Sequence, residues 1–199
     1  MTLLPPSTAF FKLEVDRTEL AKEGQEGLAT EIDKGLRSYE NVLMNEIEVS
    51  NDRVAMFEAL KHLVVSGNVL LYLTDKGLKV YPLSKFVCKR DEVGNVLEIL
   101  IKETVHPQAL PLEFLELIKK KENYDADMMK GDLDIYTSIK RMNDDFFWFQ
   151  ECKGEKIPNT DGRSKIDVTP FIPLRFIRVD GEDYGRGYVE EYRGDLISL

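Results

Sequence analysis

"SGNVLLYLTDKGLKVY", Ser66 to Tyr81, is where the periodicity of this chain changes. Before Gly67, apolar residues recur three or four positions apart, the spacing that lines one face of a helix. After it they form two short blocks, "VLLYLT" (Val69–Thr74) and "LKVY" (Leu78–Tyr81), around the turn "DKG". That pattern predicts a β-hairpin. Gly67 stands at the boundary, where a helix C-cap calls for the left-handed conformation that glycine adopts without a Cβ penalty.

Working back from Gly67, Val54, Phe57, Leu60, Leu63 and Val64 share a helix face, with Ser50 or Asn51 available as its N-cap. Further back, Leu28, Ile32, Leu36, Tyr39, Leu43 and Ile47 make one apolar stripe on a long amphipathic helix. Gly24, Gly27 and Gly35 weaken it by roughly 1 kcal/mol each if interior. "FFKLEVD" (Phe10–Asp16) alternates enough to predict a short strand.

Working forward, "KFVCKRD" and "NVLEILIKETV" predict a hairpin around Gly94, and "LDIYTSIKRM" and "FFWFQEC" another around "NDD". Between them "PLEFLELIKKK" (Pro111–Lys121) reads as a short helix and "ENYDADMMKGD" as a polar loop. Lys153 to Asp167 is polar and turn-rich, the composition of an exposed loop. "FIPLRFIRV" (Phe171–Val179) is a last strand, pushed to a sheet edge because Pro173 cannot donate to a ladder. "DGEDYGRG" then leads into a closing helix, "YGRGYVEEYRGDLISL" (Tyr184–Leu199), with Val189, Tyr192, Leu196 and Leu199 on one face. No cap ends it, which fits either a cut in a longer protein or a frayed terminus. Helices followed by hairpins, without βαβ alternation, predict an α+β fold: N-terminal helices packed with an antiparallel, hairpin-rich sheet.

The chain has 199 residues, 43% hydrophobic and 32% charged, a globular rather than a disordered composition. Its formal net charge of −9 lacks the basic footprint of a freestanding nucleic-acid binder, although an acidic wall can sit near DNA without adhering to it. Cys88 and Cys152 read as free thiols of a reducing compartment, with a single disulfide as the alternative. No run approaches the roughly 20 apolar residues of a membrane span, and the N-terminus lacks the basic region of a signal peptide.

Candidate chemistry is sparse. "DGEDYGRG" opens a helix as phosphate-cradling turns do, but Glu190 occupies the position of the third glycine, and Asp180, Glu182 and Asp183 oppose an anion. "TDGRSKID" (Thr160–Asp167) lacks P-loop order. His62 and His106, the only histidines, have no second ligand at metal spacing. "FFWF" (Phe146–Phe149) could stack bases, yet Asp144, Asp145 and Glu151 flank it, and core or subunit packing fits it better. The plentiful carboxylates make any catalytic pair unspecific. No catalytic, cofactor-binding or metal-binding residue is assigned, and no cofactor is called for.

Three stretches carry a resemblance: "RVAMFEALKHLVVSGNVLLYL" (Arg53–Leu73), "YPLSKFVCKRDEVGNVLEIL" (Tyr81–Leu100) and "PFIPLRFIRVDGEDYGRGYVEEYRGDLISL" (Pro170–Leu199). With the opening "LLPPSTAFFKLEV", in the same order and spacing, they resemble the portal, or head-to-tail connector, proteins of short-tailed phages of podovirus and autographivirus type. Glu122 to Lys165 is the least similar region. The resemblance implies a non-enzymatic structural subunit in a homo-oligomeric ring at one capsid vertex, usually a dodecamer. It implies a conduit for genome packaging and ejection, with a terminase motor, capsid and scaffold proteins and a tail adaptor as partners. Double-stranded DNA passes through without sequence-specific binding, and no membrane is involved. The location implied is the virion, with the host cytoplasm during assembly. Residues 1–185 are similar to a wing, and 186–199 to the first turns of a stem helix running on beyond Leu199; stem, clip and crown are absent. The long helix at Leu28–Ile47 and the strand at Phe171–Val179 are the expected neighbour contacts. An independent adaptor or binding module of similar fold is the alternative, and an acidic hydrolase the enzyme class to be beaten.

Overall fold

The computed structural model describes residues 11–15, 29–122 and 131–198. The chain divides into two compact units, one from residues 1–57 with 75–78 and one from 58–74 with 79–199.

The first unit is built on α1 (Ala29–Val49) and the start of α2 (Asp52–Ser66). Ser50 closes α1 twice, donating its N–H and its hydroxyl to the Glu46 carbonyl at 2.9 and 2.7 Å. Asn51 then turns the corner at φ 60°, a conformation asparagine tolerates better than most residues, and its carbonyl accepts the first N–H groups of α2. Beside it, Asp52 Oδ1 accepts the Leu78 N–H at 2.7 Å. Gly77 fits there because its φ is 116° and a Cβ would stand 2.8 Å from that oxygen.

The stripe predicted on α1 exists but is uncovered. Ile32, Leu36 and Ile47 are half-buried, while Tyr39 is 68% and Leu43 45% exposed. Leu28, Gly24 and Gly27 lie outside the described residues. The face predicted on α2 is also largely open: Val54, Phe57 and Val64 are exposed, and Ala59 is the buried residue. The strand predicted at residues 10–16 does not form over 11–15; Phe10 and Asp16 lie outside the described residues. The Leu13 N–H donates to Glu40 Oε1 at 2.6 Å, so a carboxylate satisfies this donor where a ladder would have.

The second unit holds two antiparallel sheets. β1 (Asn68–Thr74) lies between β2 (Gly77–Pro82) and β9 (Phe171–Arg175). The larger sheet runs β3 (Phe86–Arg90), β4 (Val96–Val105), β5 (Leu133–Met142), β6 (Asp145–Cys152) and β7 (Glu155–Lys156), with β8 (Gly162–Lys165) also on β6. Register places Cys88, Ile99, Ile139 and Trp148 in one row across four strands, and Phe86, Ile101, Thr137 and Gln150 in the next. Period two sends these rows to one face. There they join Leu70, Tyr81 and Phe171 of the smaller sheet in the main core. α3 (Leu112–Glu122) covers the far end of β5 and β6, where Phe114, Leu115 and Ile118 pack with Ile135, Cys152 and Ile157. The predicted hairpins, α3 and the edge position of Pro173 all form; most of the polar loop after α3 lies outside the described residues.

Three expectations need correction. Lys153 to Asp167 is not simply an exposed loop: it contains β7 and β8 and buries Ile157. Lys153 and Gly154, at φ 53° and 77°, make a tight two-residue turn whose twist suits a hairpin. The last strand ends at Arg175, not Val179, after which the Phe176 N–H turns to the Gly67 carbonyl and Ile177 forms only an isolated bridge with Arg186. The closing helix is not continuous. It breaks at Tyr192 (φ −103°, ψ 18°) into α4 (Tyr188–Glu191) and α5 (Arg193–Ser198). The Tyr192 N–H is shared between the Glu190 and Tyr188 carbonyls, a tightened helix end, and Gly194 follows with no side chain to favour the helix.

Candidate functional site

The acidic turn at residues 180–187 is anchored by side chains from both sheets. Asn68, at the start of β1, is 3% exposed. Its Nδ2 donates to the Gly185 carbonyl at 2.6 Å, its Oδ1 accepts the Gly185 N–H at 2.7 Å, and Nδ2 also reaches the Ser66 carbonyl at 3.0 Å. One side chain thus reads a backbone amide as a neighbouring strand would.

The backbones approach closely at the same point. A Cβ on Gly67 would stand 2.3 Å from the Arg186 carbonyl carbon, and one on Gly187 would stand 2.4 Å from the Val65 oxygen. Gly67, at φ 74°, is therefore required both by conformation and by space.

The other side of the turn is fastened to β3. Asp183 Oδ1 accepts the Arg90 N–H at 2.6 Å, and the Arg90 guanidinium donates to the carbonyls of Asp183, Gly94 and Pro173 at 3.1, 3.0 and 2.9 Å. The bulge between Lys89 and Arg90 coincides with this contact. The Tyr184 hydroxyl accepts the Cys88 N–H at 3.0 Å. Arg175 donates to the Glu182 carbonyl at 2.9 Å, and Arg186 pairs with Glu182 at 2.9 Å, which raises the Arg186 pKa. The turn is held from both sheets by named groups at hydrogen-bonding distance.

This geometry removes the phosphate cradle. The N–H groups of Glu182, Gly185 and Arg186 are given to Val179, Asn68 and Ile177, so they do not converge on an empty anion site. The turn fixes the direction in which the chain enters α4.

The other motifs scatter. His62 lies 3.8 Å from Glu58 on α2, and His106 Nδ1 accepts the Gln108 N–H at 3.3 Å, capping a turn of 3-10 helix at Pro107–Ala109. Among the described residues no group of three or more His, Cys, Asp or Glu could hold a metal ion. Cys88 and Cys152 are buried in separate clusters, and burial pushes the Cys88 thiol pKa up. "FFWF" is split by strand alternation. Phe146 is in the core, Arg163 lies over the Phe147 ring, Trp148 meets Phe171 edge-on, and Lys156 lies over Phe149.

A cavity of about 340 Å³ opens beside the stacked rings of Tyr72 and Phe171, with Trp148, Tyr81 and Glu103 in its walls. Its polar groups already satisfy one another. Glu103 binds Lys79 and the Tyr81 hydroxyl, Gln150 donates to Thr137, and Asp161 pairs with Lys156. Burial, then the charge of Glu103, holds the Tyr81 phenol well above its ordinary pKa. This is a neutralised hollow with no unpaired acid or base set against a nucleophile.

Sequence reading singled out neither Asn68 nor Arg90. Asn68 carried one available signal, a lone amide at the head of an apolar strand, where a buried polar group must find a partner.

Comparison with known proteins agrees along the whole chain. The model of the bacteriophage head to tail connecting protein family matches residues 1–199. The portal protein of Escherichia phage T7 is 38% identical over 211 residues, covering 100% of this chain and 38% of that protein. That of Enterobacteria phage T3 is 37% identical, again over 100% of this chain and 38% of the relative. That of Enterobacteria phage SP6 is 30% identical over 99% of this chain and 39% of the relative. The chain thus spans about two fifths of the length of these relatives. With an α+β fold, a latched turn and a family match from end to end, this chain belongs to the bacteriophage head-to-tail connecting proteins.

Proposed function

We propose that this chain is part of a structural, non-enzymatic subunit of the portal ring at the capsid vertex, the platform that joins head to tail. In this reading the ring is a homo-oligomer, a dodecamer in the full-length protein, through which double-stranded DNA is packaged and ejected without sequence-specific binding. Its partners are the terminase motor, capsid and scaffold proteins and a tail adaptor. It resides in the virion and assembles in the host cytoplasm. Residues 1–185 serve as the wing, and residues 186–199 begin the stem, whose direction is set by the latched turn.

The observation that carries the reading is the match to connector proteins along all 199 residues. Two structural features support it. The exposed apolar residues of α1, Tyr39 and Val42 among them, suit burial against a neighbouring subunit. A ring also needs heterologous surfaces that close by rotation, and β9, at the edge of its sheet, offers one. Native mass spectrometry of the full-length protein tests it. A closed ring centred on twelve copies is expected; a strictly monomeric protein at assembly concentrations overturns the proposal in favour of an independent adaptor module.

A further inference from the structure

Two arginines converge beside Gly94. Arg175 Nη2 and Arg178 Nη2 lie 2.8 and 3.3 Å from the point where a Gly94 Cβ would stand, so two guanidinium groups face the same small space. Each donates to a backbone carbonyl. Arg175 Nη1 donates to Glu182 at 2.9 Å, and Arg178 Nη2 donates to Val93 at 2.7 Å.

Two of the nearby carboxylates are committed elsewhere. The Glu182 carboxylate pairs with Arg186, and Asp183 accepts the Arg90 N–H. Asp180 reaches Arg178 only at 3.6 Å, and its side chain is 96% exposed, a contact that an incoming anion can displace. Burial, then the charges of Arg90 and Arg178, lowers the Arg175 pKa. A Cβ at Gly94 would stand 2.8 Å from Arg175 Nη2 and 3.3 Å from Arg178 Nη2, against both guanidinium groups. The Arg178 side chain is 54% exposed, so the space they face is open to solvent on that side.

We propose that Arg175 and Arg178, whose guanidinium groups meet beside Gly94, form a binding site for an oxyanion of the phosphate class. Paired guanidinium forks match the spacing of phosphate oxygens and give charge-assisted bonds. The oxyanion can come from free phosphate or from the phosphodiester backbone of duplex DNA; only the second source rests on the portal reading.

The test titrates full-length protein with inorganic phosphate by calorimetry, and with a short mixed-sequence DNA duplex by fluorescence anisotropy at low salt. The wild type is compared with Arg175→Gln/Arg178→Gln, and Trp148 emission reports folding. Phosphate binding that weakens about tenfold or more in the double variant is expected, as two charge-assisted contacts are lost. Because Arg175 also braces the turn, Arg178→Gln alone is the second variant; it leaves that brace intact and should still weaken phosphate binding. If the duplex also binds and the double variant lowers its salt slope by about 1.8, the source is the phosphodiester backbone. If only phosphate responds, the source is the free ion. Absence of phosphate binding by the wild type, or equal binding by both variants, overturns the site while leaving ring formation, and so the portal reading, untouched.

Discussion

Asn68 and Gly185, 117 positions apart, exchange two hydrogen bonds at 2.6 and 2.7 Å inside the protein. Removing the amide leaves a buried N–H and a buried carbonyl without partners. Asn68→Ala should therefore cost about 2–4 kcal/mol, on the scale of two orphaned backbone groups. Urea unfolding of the two proteins measures this directly. A loss below about 0.5 kcal/mol, the ordinary range for surface substitutions, would show that water replaces the side chain at no cost and that the latch is not structural.

Two glycines should respond to alanine with opposite signs. Gly67 has φ 74° and backbone atoms 2.3 Å from a hypothetical Cβ, so Gly67→Ala must displace the turn. A loss of at least about 2 kcal/mol is expected, combining αL strain with overpacking. Gly35 lies inside α1 with nothing within 4 Å of its Cβ position. Gly35→Ala should stabilise by about 0.5–1 kcal/mol. Thermal melts of both variants, read by far-ultraviolet circular dichroism, decide the signs.

Trp148 is the one tryptophan of the chain and lies against the backbone of Gly162, where a Cβ would stand 2.0 Å from the indole ring. Gly162→Ala must push the ring outward or pull β8 from β6. Tryptophan emission should shift to the red and become more accessible to iodide quenching. An unchanged spectrum and quenching constant would mean that the ring does not depend on the missing side chain.

The β3–β4 turn carries a pH dependence of known sign. Asn95 donates its N–H and its side-chain amide to Asp91 at 2.7 and 2.8 Å, and these bonds, the amide foremost, lower the Asp91 pKa. A carboxylate depressed in the folded state contributes its stability above its ordinary unfolded pKa and loses it as pH falls through the lowered folded value. Asn95→Ala should raise the Asp91 pKa towards that of an ordinary aspartate. Carboxyl carbon chemical shifts followed by NMR between neutral and strongly acid pH report the midpoint, and an unmoved midpoint in the variant would exclude Asn95 as the cause.

Elements that announce themselves by local chemistry were legible in the sequence. Gly67 and Gly94 marked their turns, Pro173 marked an edge, and the alternation of "NVLEILIKETV" marked β4. What escaped depends on partners far along the chain. β7 and β8 are polar because their pairing with β6, not burial, makes them strands. The stripe on α1 was read correctly as a pattern, but periodicity cannot say what covers it, and Tyr39 and Leu43 remain exposed. The latch was invisible for a related reason. Asn68, Arg90 and Asp183 are unremarkable residue types, and their roles arise only when a three-stranded and a six-stranded sheet bring them together.

The anchoring of residues 180–187 also has a mechanical meaning. A pull applied along the chain beyond Gly187 meets the Arg186–Ile177 bonds, then the Asn68 bonds and the Arg90 clasp. The load divides between β1, which is flanked by β2 and β9, and β3, which is paired along its length with β4. Tension on that segment is thereby resisted by two sheets pulled together, with many hydrogen bonds sharing the force, instead of by one exposed strand that could be peeled away a bond at a time.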